Sequence, residues 1–82
     1  MDSNQEDHSV ERLMADVLQI PPAEVADDLA MEDLDAWDSL RHMELVLALE
    51  GAFGLEFDFD EIVAMKTVHK IKGVLKERGV SV

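Results

Sequence analysis

The sequence predicts an all-α fold: a small four-helix bundle, three main helices plus one short helix, with a long first loop. Three observations support it. Apolar residues recur at helical spacing in three separate segments. Residues that cap or stop a helix stand at the ends of those segments. No stretch shows the alternation of a half-buried strand, and no internal repeat is present. With 82 residues, the chain has room for one domain, residues 1–82, and one modest core. Its hydrophobic content of 48%, arranged with clear periodicity, argues against disorder.

Val10, Leu13, Met14, Val17 and Leu18 fall at helical spacing and predict a first amphipathic helix over roughly residues 3–19. Ser3 with Glu6 three positions on forms a candidate capping box. Pro21 and Pro22 stop this helix, since Pro21 disfavours helix at Ile20 and neither proline donates a backbone hydrogen bond. Residues 21–37 show no sustained period but contain Val25, Leu29, Met31, Leu34 and Trp37. They predict a long loop that tucks apolar side chains beneath itself, and a connection of this length is often functional. A second helix follows over about 39–52. A short turn of helix starts near Asp60, covering "DEIVAM". Thr67 caps a last helix with Val68, Ile71, Val74 and Leu75 on one side and Gly79 past its end.

Charge is unevenly spread. The net formal charge is −12. Residues 1–61 hold 18 acids against Arg12 and Arg41, a net −16, while residues 62–82 are net +4. An acidic front repels phosphate backbones, which argues against nucleic-acid binding. It favours encounters with basic protein surfaces and keeps the domain monomeric. There is no cysteine, which excludes disulfides and thiolate metal sites. No apolar run is long enough to span a bilayer, and "MDSNQEDHSV" is the opposite of a signal peptide. The expectation is a cytoplasmic protein that does not engage a membrane.

The second helix carries two apolar sets. His42, Leu45, Val46, Leu49 and Phe53 share one side, and Leu40, Met43, Glu44, Leu47 and Gly51 share the other. A surface helix needs only one apolar stripe. Either the helix is central and buried all round, or Leu40, Met43 and Leu47 form a contact patch rimmed by Arg41, Glu44 and Glu50. Met43 suits a surface that meets several partners, because its side chain repacks easily.

Ser39 stands where this helix begins. A nucleophilic serine needs a base and a group that orients the base. His42 is near in sequence but faces the core, and no G-x-S-x-G surrounds the serine. An EF-hand calcium loop fails as well. "DFDEIVAMKTVH" has Val63 where glycine belongs and His69 where glutamate belongs. Asp38 or Ser39 can cap the helix, but a cap leaves the apolar surface beside them unexplained. The remaining reading is a serine that is itself a substrate. A hydroxyl at a helix N-terminus is well placed to hold a phosphodiester, and the modifying enzyme supplies the chemistry. Asp38 would help that enzyme hold magnesium against pyrophosphate.

At this point the sequence resembles the acyl carrier proteins. The likeness lies in Asp38-Ser39-Leu40, then "ELVLALE" at 44–50, Phe53, "F-D-x-D-E" at 57–61 and Thr67-Val68, and covers roughly residues 10–78. The resemblance implies a single acyl-carrier domain, a four-helix bundle that catalyses nothing itself. It implies that a phosphopantetheinyl transferase converts Ser39 into a 4′-phosphopantetheine ester whose thiol carries acyl groups. Asp38, Leu40, Arg41, Met43, Glu44, Leu47 and Glu50 then fall on the face offered to the transferase and to partner enzymes. Those partners would be acyl-transferring, ketosynthase-type or acyl-activating enzymes with basic patches, in fatty-acid, polyketide or other specialised biosynthesis. Between Leu45, Val46, Leu49, Ile62 and Met65 the helices would part to admit an aliphatic chain.

Three departures from the usual "LGxDSL" stand out. Here the stretch reads "LDAWDSL", with Ala36 and Trp37 before the motif. Arg41 replaces a frequent acid, and His42 follows it. "WDSLxH" is more similar to discrete carriers of specialised pathways, and the "GGxSL" of peptidyl carriers is missing. Trp37 is expected to pack over the loop. The competing reading is an acidic helical adaptor that binds a basic partner through the second helix unmodified. On the carrier reading Ser39→Ala abolishes attachment and costs about 0.5–2 kcal/mol as a helix cap.

Overall fold

A computed structural model describes residues 9–80, which form four α-helices and no strand among the described residues. They are α1 (Ser9–Leu18), α2 (Ser39–Phe53), α3 (Phe59–Ala64) and α4 (Val68–Glu77). The four-helix, all-α architecture expected from periodicity is the one observed. The expected start of the first helix, with its Ser3–Glu6 capping box, lies outside the described residues. None of these helices is long and apolar enough to cross a membrane.

α1 ends one residue earlier than its periodicity suggests. Gln19 adopts a left-handed φ of 62°, and the Ile20 N–H donates to the Ala15 carbonyl (3.1 Å). This is the six-to-one closure usually made with glycine. The prolines follow two residues after this closure, and Pro21 keeps Ile20 from continuing the helix.

The long first connection holds more local structure than its lack of period suggests. Single 3-10 turns span Pro22–Glu24 and Met31–Asp33. Proline suits the first helical position, where no N–H is required. In the second turn the Asp33 carboxylate accepts the Ala30 N–H (3.2 Å). The loop does tuck its apolar residues inward: Val25 and Trp37 are buried, and Leu29, Met31 and Leu34 pack against the core.

This loop is bonded to the start of α4. Val68 N–H donates to Leu29 C=O (3.0 Å), His69 N–H to Asp27 C=O (2.9 Å), and Met31 N–H to Lys66 C=O (2.8 Å). Thr67 Oγ1 accepts the Lys70 N–H (3.0 Å). The first three orphan donors of α4 are thereby all satisfied, two of them by the loop. Lys72 reinforces the join by pairing with Glu11 of α1 and with Asp27 (2.8 Å).

The core takes Val10, Met14 and Leu18 from α1, Leu45, Val46 and Leu49 from α2, and Val68, Ile71 and Leu75 from α4. Met65 and Phe57 close it from the connections around α3. Each such side chain contributes about 1.5–3 kcal/mol by leaving water. α2 ends at Gly54, whose φ of 67° favours a residue without a Cβ. Gly79, with φ 90°, does the same after α4.

Candidate functional site

α2 presents its two apolar sets to different surroundings. His42, Leu45, Val46 and Leu49 are buried. Leu40, Met43 and Leu47 are 68%, 45% and 63% exposed. The helix is therefore not enclosed on both sides. α3 extends the exposed apolar area with Phe59 (76%) and Val63 (43%). Neither residue was singled out by sequence reasoning, because a six-residue helix has too few turns to reveal a face.

Ser39 is the first residue of α2 and is exposed. Asp38, rather than Ser39, is the cap: its Oδ1 accepts the Arg41 N–H at 2.9 Å, and its carbonyl accepts the His42 N–H at 2.8 Å. The serine hydroxyl is thus not consumed by the capping role expected of one of the two residues. Its own N–H and that of Leu40 are orphan donors of the first turn. A hydroxyl beside them is favourably placed for an anionic ester.

Two cavities meet at Ser39. The smaller, about 260 Å³, is lined by Ser39, His42 and Met43 of α2, Phe59, Ile62 and Val63 of α3, and Met31 and Lys66. The larger, about 540 Å³, lies between Ala30–Glu32 of the loop, Ser39, and Lys66–Thr67. Of the five residues expected to admit an acyl chain, only Ile62 lines either cavity. Leu45, Val46, Leu49 and Met65 are closed core. The cavity wall is instead supplied by Met31, Met43, Phe59 and Val63, together with His42. Met31 and Phe59 lie in a loop and at a helix start, where periodicity gives no signal.

His42 ties this wall together. Trp37 Nε1–H donates to His42 Nδ1 (3.0 Å), so the imidazole proton resides on Nε2, which donates to the Ile62 carbonyl (2.9 Å). One neutral ring links the loop, α2 and α3 in the buried interior. Trp37 itself lies in the core, beneath the loop, and does not line the cavities. His42 is a satisfied core histidine with no nucleophile to serve.

Two residues expected on the outward face are turned to internal use. The Arg41 guanidinium donates to the Val17 carbonyl at the C-terminal end of α1 and pairs with Glu44 at 3.8 Å, a location that the helix dipole favours for a cation. Glu50 Oε2 accepts the Phe57 N–H (2.9 Å), bracing the α2–α3 connection. At the start of α3 the Asp58 N–H donates to Glu61 (2.9 Å). That bond, followed by the Arg78 ion pair, holds the Glu61 carboxyl below its ordinary value. Among the described residues no cluster of three or more His, Cys, Asp or Glu side chains is placed to hold a metal.

Comparison with known proteins matches residues 8–75 to the family described as "Phosphopantetheine attachment site". The chain is 40% identical over 63 residues to an acyl carrier protein of Thermosynechococcus vestitus, 76% of each chain. It is 34% identical over 70 residues to an acyl carrier protein of Petrotoga mobilis, 84% of this chain and 81% of the relative. A third acyl carrier protein, from a Sulfurovum species, is 42% identical over 60 residues, 72% of this chain and 79% of the relative. The family match takes in the loop and the exposed serine just described and runs into α4, and the chain belongs to the acyl carrier protein family: a carrier with covalently attached 4′-phosphopantetheine, handled by phosphopantetheinyl transferase and acyl-handling enzymes, and not itself an enzyme.

Proposed function

We propose that Ser39 is the attachment point, and that the single domain shuttles acyl thioesters between enzymes of fatty-acid, polyketide or other specialised biosynthesis. The observation that carries this reading is the exposed Ser39 hydroxyl, left unused because Asp38 makes the cap, and opening onto two cavities. The residues fit the group. The bound arm supplies a thiol on which acyl groups ride as thioesters. The chain's own residues present the hydroxyl, and orphan N–H donors of α2 favour the ester's negative charge.

Leu40, Met43 and Leu47, with Asp38 and Glu44 at the rim, form the face for the transferase and the acyl-handling enzymes. Phe59 and Val63 extend it. Arg41 and Glu50 lie at its margin, with their charged groups held by α1 and by the α2–α3 connection. The net −16 on residues 1–61 suits basic patches on those partners and keeps the domain monomeric. The apolar cavity beside Ser39 is the entrance for an aliphatic chain. Leu45, Val46, Leu49 and Met65 line its path once α2 and α3 separate.

The test is intact mass before and after incubation with coenzyme A, magnesium and a broad-specificity phosphopantetheinyl transferase. The expected result is a gain of one phosphopantetheine, lost in Ser39→Ala. No gain from folded, unmodified protein would refute Ser39 as the site and favour an adaptor that uses the α2 face unmodified.

A further inference from the structure

The two cavities that meet at Ser39 differ in chemistry, and Lys66 stands between them. Its side chain is the one lysine or arginine lining either space. Arg41 pairs with Glu44, Lys72 with Glu11 and Asp27, and Arg78 with Glu61, whereas Arg12, Lys70 and Lys76 enter no ion pair among the described residues but line neither cavity. No ion pair among the described residues engages Lys66, although residues 1–61 are net −16. The wall that holds it is fixed. The Lys66 carbonyl accepts the Met31 N–H (2.8 Å), and Ala30 and Thr67 pair as an isolated antiparallel bridge. The larger cavity is therefore a cleft between two strapped segments, with Lys66 on one side and Glu32 on the other.

We propose that Lys66 is a positioning residue for the prosthetic arm, its ammonium pairing with the phosphodiester on Ser39 and directing the arm into the cleft between residues 30–32 and residues 66–67. This rests on Ser39 as the attachment point. A phosphodiester is a permanent anion at neutral pH, and a charge-assisted contact to an ammonium is stronger than a neutral hydrogen bond. The arm's amides match a cleft with polar groups on both sides, whereas the second cavity is lined mainly by methionine, phenylalanine, isoleucine and valine. The arm and an aliphatic cargo then occupy separate spaces that share one mouth. Glu32 supplies a carboxylate that accepts amide N–H groups and repels a misplaced phosphate.

The experiment compares backbone amide shifts of the full chain before and after loading, for the native sequence, Lys66→Ala and Lys66→Arg, with intact mass recorded on each sample. Amides next to Ser39 shift wherever the arm lies, so the diagnostic ones are Met31, Glu32 and Thr67. They are expected to shift on loading of the native chain, to lose that shift in Lys66→Ala and to regain it in Lys66→Arg. Lys66 is exposed and its bond to Met31 uses only backbone, so the alanine variant keeps its fold. Equal shifts in native and Lys66→Ala protein would overturn the proposal. So would shifts confined to Phe59, Ile62 and Val63, or none beyond the neighbourhood of Ser39 in a sample whose mass shows it loaded. Absence of any mass gain would instead remove Ser39 as the attachment point, and the proposal with it.

Discussion

Leu45 and Leu47 are two residues apart on α2, chemically identical, and opposite in burial: 0% against 63% exposed. Replacing each in turn separates the structural face of the helix from its proposed partner face. Leu45→Ala leaves a cavity in closed core and should cost about 2–5 kcal/mol. For a domain of this size each kcal/mol moves the melting temperature by about 4–8 °C, so that variant should melt at least about 8 °C lower. Leu47→Ala removes a mostly solvated side chain and should stay within about 0.5 kcal/mol of the parent. Leu47→Asp adds a propensity cost of about 0.5 kcal/mol. Like-charge pairs with Glu44 and Glu50 at i±3 add about 0.2–0.5 kcal/mol each, giving roughly 1–1.5 kcal/mol in all. Leu47→Asp should still be folded at 25 °C by circular dichroism. Its kcat/KM as a transferase substrate should nevertheless fall by about tenfold or more, since that is the effect of losing about 1.4 kcal/mol from a central contact. If Leu47→Ala melts as low as Leu45→Ala, the helix is enclosed on both sides and the reasoning fails. If Leu47→Asp folds and is loaded at the parent's rate, the transferase does not use this face.

Trp37→Phe deletes the donor to His42 Nδ1 and leaves a buried acceptor unpaired, at about 1–3 kcal/mol. An unchanged melting temperature would mean that the bond contributes nothing. Asp38→Ala should cost about 0.5–2 kcal/mol, whereas Ser39→Ala should cost less, because the cap is Asp38. The reverse order in chemical denaturation would reassign the cap. Acid should weaken the joins around α4. The Lys72 hydrogen bond and charge lower the Asp27 carboxyl from 3.8, and the Asp58 N–H, then Arg78, lower Glu61 from 4.5. Each contribution is complete above the unfolded value and is lost as pH falls through the lower folded one. At the alkaline end, burial opposes the Lys72 ammonium, but its bonds to Asp27 and Glu11 outweigh that and raise it above 10.5. Its contribution is lost as pH rises past the folded value. Lys72→Met should flatten the acid limb of a stability–pH curve below about pH 4 relative to the parent, and an unaltered limb would contradict the assignment.

The fold was legible where the physics is periodic. α2 and α4 show a core stripe that one turn of helix after another must satisfy, and their caps, Asp38 or Ser39 and then Thr67, are short polar side chains at the expected places. α1 was legible for the same reason, though not its end. Gln19 takes a conformation that glycine or asparagine ordinarily marks, so the left-handed closure just ahead of the prolines left no trace in the sequence. The loop was only half legible. Its apolar residues announced burial, but its bonds run from backbone to backbone across about 40 residues, from Asp27 and Leu29 to Val68 and His69. Backbone groups carry no sequence signature, so that join could not be read.

Much the same division holds at the site. Angles around a helix show that Leu40, Met43 and Leu47 have no place in a single stripe, which left a buried and an exposed reading of that side of α2, and their exposure decides between them. Arg41 and Glu50 were placed on that face by position alone, and position is a poor guide to long charged side chains. Both reach round to backbone groups instead, Arg41 to the end of α1 and Glu50 to the Phe57 N–H, where an otherwise unpaired, partly buried carbonyl or amide makes the contact worth more than exposure. The cavities were hidden for a related reason. Their walls combine residues 30–32, 59–63 and 66–67, which meet because α4 borrows the loop's carbonyls to complete its first turn and His42 joins α3 to Trp37 of the loop. The same bonds that satisfy a helix end therefore fix the mouth at Ser39, and loosening α4 from the loop should enlarge that mouth before it unfolds the core.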